Sequence, residues 1–459
     1  MRHSLLAATV VLMGTSGWAL SHGIDSAARP TILAVEAPED RQLAAPVRPP
    51  IEPLDVGTLG IELQIDRSRA PLSDVVEMFR TRTEANPADH ISRTTLAALL
   101  MEQARATADL DMYAEAEAMI DDAIELAPGS VDARLVKAGA ASARHDFSAA
   151  LTRAQAVLAD DPGNAAALAA VGDAQLELGR YAAARNTYDA LSVADRSATT
   201  VSRLARLAFL TGDVAGSIEL STEALERASV LALRPAEGAF YWFQLGFFLN
   251  EAGDVEGAGQ ALDRALELDP AHPGSSELLA RVRTSQGRLD DAIAIYRSLL
   301  IGGGAADLRG ELATLLDLTG DAAGADEEIR AGLDLAGVTI GKYPAERRHL
   351  AGFLVAHDPV TALELAEADI ATRQDVYAHD MLAWALLANG RAEEAHDAIQ
   401  DALAVGTRDA DLFFHGGVIA HAVGDEDQAR SLLEAALAIN PAFDPVDAPA
   451  AETLLADLG

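Results

Sequence analysis

The sequence predicts an all-α solenoid of stacked helical hairpins, and three observations carry that prediction. Glycines recur at a spacing of 33 or 34 residues through much of the chain. Each sits inside the same pattern of apolar and small residues. The composition is that of helices packed closely on one another: 50% of the 459 residues are hydrophobic but only 5% aromatic, with alanine and leucine carrying most of the apolar content. Charged residues at 23% also suit helix. A chain of this length would ordinarily divide into about three globular domains, whereas a repeat array grows by adding units to one core.

The period is explicit. Gly179 and Gly212 lie 33 apart, Gly253, Gly287 and Gly320 follow at 34 and 33, and Gly390 and Gly424 at 34. The clearest unit is Trp242, Leu245, Gly246, Gly253, Ala258, Leu262, Ala265 and Pro270. A second is Leu168, Gly172, Gly179, Tyr181, Ala184 and Tyr188; a third is Phe413, Gly417, Gly424, Ala429, Leu433, Ala436 and Pro441. Trp242, Leu245, Gly246 and Leu249 share one stripe of a first helix. Gly253 lets the chain turn through the left-handed region at low cost. Ala258 and Ala265 let a second helix approach closely, and Pro270 stops it. Each hairpin leaves a flank that only the next can cover, so the units stack.

The spacing W-x2-L-G, G, A-x3-[FYL]-x2-A, P resembles the tetratricopeptide repeat, over roughly residues 94–441. The resemblance implies a right-handed superhelix of about ten hairpins that binds proteins or peptides in its concave groove, without catalysis or cofactor. The C-terminal part also resembles a family of bacterial exported tetratricopeptide proteins of unassigned function, through Ala378–Ala385, His415-Gly416-Gly417 and Asn440–Pro445. That likeness supplies no chemistry. Three places depart from the period: extra residues between Met101 and Tyr113, an insertion at 227–238, and a unit near Tyr343–Ile370 with Asp358 where the turn glycine belongs.

Outside the array, Arg2 and His3 precede an apolar run, Leu5–Met13, and Ala19-Leu20-Ser21 offers small residues for cleavage. Residues 1–21 therefore read as a signal peptide, placing the mature chain in the periplasm or outside the cell. Residues 22–70, with Pro46, Pro49, Pro50 and Pro53, read as a flexible tether carrying a short strand near Gly60–Ile65. Residues 71–93 form a capping helix running from near Pro71 to Asn86-Pro87, and residues 442–459 a C-terminal cap near Ala450–Leu458. No later segment reaches about 18 consecutive apolar residues, so no membrane insertion is expected after cleavage.

The net charge of −36 repels phosphate backbones and anionic lipid, which excludes nucleic acid as a partner. Lys137 and Lys342 are the only lysines. The acidity reads as a solvated surface, or else as recognition of cationic partners. The absence of cysteine removes disulfides, thiolate metal sites and a cysteine nucleophile.

No catalytic constellation stands out. The pairs His145-Asp146, His357-Asp358, His379-Asp380 and His396-Asp397 share no geometry, two falling in turns and two in helices. His22, at the expected mature terminus, has no second ligand nearby for copper. Ile340-Gly341-Lys342-Tyr343 lacks the residues of a phosphate loop, and Gly302-Gly303-Gly304 reads as a turn.

One candidate site follows from helix geometry. Phe240, Phe243, Phe247 and Asn250, at spacings of 3, 4 and 3, share a stripe on the first helix of their unit. Arg206 and Arg281 hold the matching slots on either side of Phe247. As a peptide-binding groove, these residues would supply apolar contact, a hydrogen bond and selection of an acidic group. The ligand expected is a peptide with an aromatic or aliphatic anchor beside a carboxylate. The alternative is that this helix is apolar all round because it is buried in mid-array beneath residues 227–238. Two other function classes stay open: an accessory subunit or enzyme acting on envelope polymers, and end-to-end self-association of the solenoid.

Overall fold

The computed structural model describes residues 71–107, 111–231, 233, 235–301, 305–340 and 346–458. The signal segment, the tether with its strand, the triple glycine and Gly341–Tyr343 lie outside these residues. Among the described residues there are 22 helices and no strand.

A single helix, α1 (Leu72–Ala85), precedes ten hairpins. The first five are α2 (His90–Thr107) with α3 (Asp111–Leu126), α4 (Val131–Ala143) with α5 (Phe147–Asp160), α6 (Ala165–Glu177) with α7 (Tyr181–Ala194), α8 (Ala198–Leu210) with α9 (Val214–Ser229), and α10 (Pro235–Glu251) with α11 (Val255–Leu268). The second five are α12 (Pro273–Ser285) with α13 (Leu289–Leu299), α14 (Ala306–Leu318) with α15 (Ala322–Thr339), α16 (Arg347–Leu354) with α17 (Pro359–Ile370), α18 (Val376–Ala388) with α19 (Ala392–Leu403), and α20 (Ala410–Ala422) with α21 (Glu426–Ile439). A last helix, α22 (Asp447–Leu458), packs on α21.

In four hairpins the turn follows from two adjacent residues, a glycine and an aspartate. Gly212 takes φ +88 after α8, and the N–H groups of Gly212 and Asp213 donate to the carbonyls of Phe209 and Ala208. The Asp213 carboxylate then accepts the N–H of Gly216 at 2.9 Å and so starts α9. Asp254, Asp321 and Asp425 do the same after Gly253, Gly320 and Gly424. Asp146 and Asp358 cap α5 and α17 in the same way, which accounts for two of the four His-Asp pairs. The turn before α5 has no glycine: His145 takes φ +60 there, is buried, and lies against the ring of Phe147.

The superhelix closes on itself. After six hairpins the chain returns to lie against its own earlier units, and the contact repeats three times in register. The Gln374 N–H donates to the Glu177 carbonyl at 3.1 Å. The Val376 N–H donates to the Tyr181 hydroxyl at 2.8 Å, across 195 residues. The Thr407 hydroxyl donates to the Leu210 carbonyl at 2.6 Å, across 197 residues. At each contact a turn glycine of the first ring meets a backbone carbonyl of the second. Gly179 faces Gln374, Gly212 faces Gly406, and Gly253 faces Ile439. One apolar cluster runs through both rings, joining Leu176, Tyr188, Phe209 and Phe248 to Val376, Leu386, Ile399 and Ile419.

Ion pairs reinforce this seam. Arg373 reaches Glu177 at 2.9 Å and Asp375 at 2.8 Å, and lies 5.8 Å from the Phe147 ring centroid. Arg348 bridges Asp369 at 3.1 Å and Asp375 at 2.8 Å. Glu177, Arg373, Asp369 and Asp375 are all buried, so removing one partner would strand a charge at a cost of about 3–5 kcal/mol.

Gly212 and Gly320 form a matched pair that isolates the ring contact. Both lie between Thr and Asp, and both have φ +88. A Cβ on Gly212 would come within 2.5 Å of the Gly406 carbonyl oxygen, whereas a Cβ on Gly320 meets nothing within 4 Å. Gly320→Ala should therefore cost only the left-handed strain, about 1–2 kcal/mol. Gly212→Ala should add an overpacking cost of about 1–3 kcal/mol. Denaturant unfolding of the two variants measures the difference, and equal losses would mean that the rings are not in contact.

Candidate functional site

The first helix of each hairpin turns one side to the interior of the superhelix. Residues far apart in sequence face each other there. The carboxylates of Asp409 and Asp411 push the Glu251 carboxyl well above its usual range, secondary to its burial. Arg281 feels Asp411, Glu311 feels Asp444, and Asp447 feels both Asp444 and Glu311. The interior between α10–α14 and α20–α22 is therefore lined mainly by acids.

These carboxyls hold their protons more tightly than free ones do. Burial raises Glu277 to about 7, with Arg281 opposing the shift. Burial and Asp444 raise Asp447 to about 6. Burial is also the main cause at Glu311 and Asp409, with neighbouring carboxylates adding to it, and Asp411, exposed at the start of α20, is raised beside Asp409. Two histidines are held charged against the penalty of burial. His349 is raised to about 9 by Asp307 at 3.1 Å, and His415 to about 9 by Asp380 at 2.9 Å. The His415 ring also stacks on Trp384 at 4.2 Å. No group of three or more ligating side chains among the described residues could hold a metal ion.

Of the six residues singled out from the sequence, the three phenylalanines meet in one cluster, with Phe243 in it and Phe240 and Phe247 packed against it, and the two arginines have other partners. Phe243 is 5% exposed and belongs to a core cluster with Ala258, Leu262, Leu278, Leu279 and Val282. It is a packing residue, because the α10–α11 hairpin and α12 close over it. Phe247 is half-buried, edge-on to Phe209 at 5.4 Å and to Phe248 at 5.3 Å. Phe240 is half-buried against Tyr241 at 5.5 Å, and Leu233 from the 227–238 segment packs on the same cluster. Asn250, also half-buried, donates to Glu251 at 3.2 Å.

The two arginines fall in different clusters. Arg206 donates to Glu177 at 2.7 Å and so joins the seam between the rings. Arg281 donates to Glu311 at 3.1 Å and lies 3.7 Å from Glu277. Both are engaged by carboxylates, and the surroundings of Arg281 are acidic. The sequence reading missed Glu251, Glu277, Glu311, Asp411 and Asp447. Each lies on or beside a first helix, but nothing local sets them apart from the capping and surface acids.

Family models of the tetratricopeptide repeat match residues 141–208 and 249–301, and a second such model matches residues 381–444. No curated protein matches the chain. Among solved structures, the chain is similar to the APC/C hetero-tetramer Cut9–Hcn1, at 14% identity and TM-score 0.31, covering 84% of this chain and 93% of that one. It is similar to a human IFIT1 dimer with PPP-AAAA, at 14% identity and TM-score 0.43, covering 82% and 96%. It is also similar to a tetratricopeptide repeat protein from Parabacteroides merdae, at 15% identity and TM-score 0.31, covering 57% and 99%. At these identities and TM-scores nothing about their ligands is carried over.

Two measurements test the site. Phe243→Ala should lower stability by about 3–5 kcal/mol, as for a large core residue; a change near zero would place the ring outside the core. The charge cluster predicts a pH dependence. Acids raised in the fold contribute stability that is present below their unfolded pKa and lost as pH rises through the folded value, about 7 for Glu277 and about 6 for Asp447. Histidines raised to about 9 lose theirs as pH rises from their unfolded value of 6.5 through 9. Both effects have one sign, and His145, lowered to about 3 by burial, opposes them only below about 6.5, so the melting temperature should fall between about pH 6.5 and pH 9. Glu277→Gln should flatten the acidic half of that slope, and an unchanged slope would remove Glu277 from the account.

On this evidence the described residues form an all-α solenoid of ten helical hairpins, in which residues 141–208, 249–301 and 381–444 match the tetratricopeptide repeat.

Proposed function

We propose that this protein is an exported binding scaffold whose interior takes an extended basic segment of another protein. Tetratricopeptide repeats point to a protein-interaction scaffold. The observation that carries the finer reading is the concentration of acids around Glu251, Glu277, Glu311, Asp411 and Asp447, with Arg281 and His415 among them. Carboxylates that raise one another are stabilised by added positive charge, so a chain of arginines or lysines binds where an acidic one is repelled. Phe247 and Asn250, half-buried next to Glu251, add an apolar contact and an amide to the same wall.

Export is supported by the apolar run Leu5–Met13 before Ala19-Leu20-Ser21, and by the C-terminal likeness to a bacterial exported family. Intact mass of protein taken from its native host should match a chain beginning at His22, and a retained Met1 in a cytoplasmic fraction would refute export.

Binding is tested by fluorescence anisotropy with two labelled peptides, an arginine-rich one and its glutamate counterpart. The basic peptide should bind, weaken with added salt, and weaken again on Glu277→Gln with Glu311→Gln. Equal binding of the two peptides, or preference for the acidic one, would overturn the reading.

A further inference from the structure

The two rings leave two edges uncovered, and those edges match the pair that is already joined inside the molecule. At the seam, the turns within first-ring hairpins, at Gly179, Gly212 and Gly253, meet the turns between second-ring hairpins, at Gln374, Gly406 and Ile439. The first ring therefore still presents its turns between hairpins on the far side. The second ring still presents its turns within hairpins. At Gly287, Gly320, Gly390 and Gly424, a Cβ would meet nothing within 4 Å.

Apolar exposure follows the same edges. Leu126, Val193, Val230, Leu231, Leu268 and Ile301 are all exposed, Val193 at 91% and Val230 at 83%. Every one lies at the C-terminal end of a second helix, or just after it, at a turn between hairpins; all but Ile301 are on the uncovered side of the first ring. At the seam itself Val405 packs into the cluster that both rings share and the Ile439 carbonyl lies over Gly253, whereas Val338, Ile340 and Val446, at or just after the ends of α15 and α21, are exposed. The other edge makes the same comparison. Leu210 and Leu318 each stand two residues before a turn glycine; Leu210, under the seam, is 3% exposed, whereas Leu318 is 48% exposed.

We propose that these edges dock on each other between copies of this chain, head to tail along the superhelix axis, so that a second molecule continues the stacking that the first begins. The occupant is a second copy because the intramolecular seam already shows one edge type seated on the other. Such an interface is heterologous: it uses two different surfaces and does not close on itself, so growth continues beyond the dimer. Asp321 and Asp425 cap turns along the second-ring edge, and the net charge of −36 opposes association, so added salt favours it.

The test is light scattering of the full chain over a range of concentrations and salt. The average mass should rise with both, past that of a dimer. Leu318→Asp blocks one edge, and Val230→Asp with Leu231→Asp blocks the other. All three positions are exposed, so each variant should melt like the parent. Each variant alone should stay monomeric. An equimolar mixture should form dimers and nothing larger, because each variant keeps one intact edge and the two are complementary. A parent that stays monomeric at every concentration and salt would overturn the proposal. So would a symmetric dimer formed by either variant alone, or a mixture that stays monomeric.

Discussion

The contact on which the rest of the structure depends is the approach of one backbone to another at the three turn glycines of the first ring. At Gly212 the Gly406 carbonyl leaves no room for a Cβ, and the neighbouring Thr407 hydroxyl donates to the Leu210 carbonyl. Because the backbones meet, the helices behind them are close enough for one apolar cluster to span both rings. The same approach brings Arg373 into reach of Glu177. It also sets the spacing of the interior walls. Acids on α10–α14 and on α20–α22 perturb one another because the rings are held in register.

Within that frame, charge has three distinct tasks. The aspartates after the turn glycines start helices by accepting N–H groups, and they do so facing water. Glu177, Asp369 and Asp375 are buried and fully engaged by arginines across the seam. The interior acids have fewer cations than carboxylates around them. Only this third group is left with an electrostatic demand that a ligand can meet.

The hairpins were legible because their cause is local. A glycine in the left-handed region and alanines on the second helix recur at the 33- or 34-residue spacing, with an aspartate after the glycine in four of the units. The ring closure was not legible, because it depends on small rotations summed over six units. Gly212 and Gly320 share their flanking residues, yet one is covered by a second ring and the other faces open space. Arg206 and Arg281 occupy equivalent slots, yet one lies at the seam and the other in the interior. The phenylalanines misled for a related reason. A stripe at helical spacing fixes which residues share a face, and the segment before α10 decides how much of that face is covered.

An open solenoid is nearly one-dimensional: each unit touches only its neighbours, and the array can fray from either end. Bonds across 195 and 197 residues remove that property here. The hairpins from α6 to α18 form a closed circuit, in which losing one unit breaks contacts on the far side of the ring as well as beside it. Pairings so distant in sequence raise the mean contact separation and slow the search for the native fold. They also tie the middle and last thirds of the chain into one cooperative body, so that a disturbance at one wall of the interior is felt at the other.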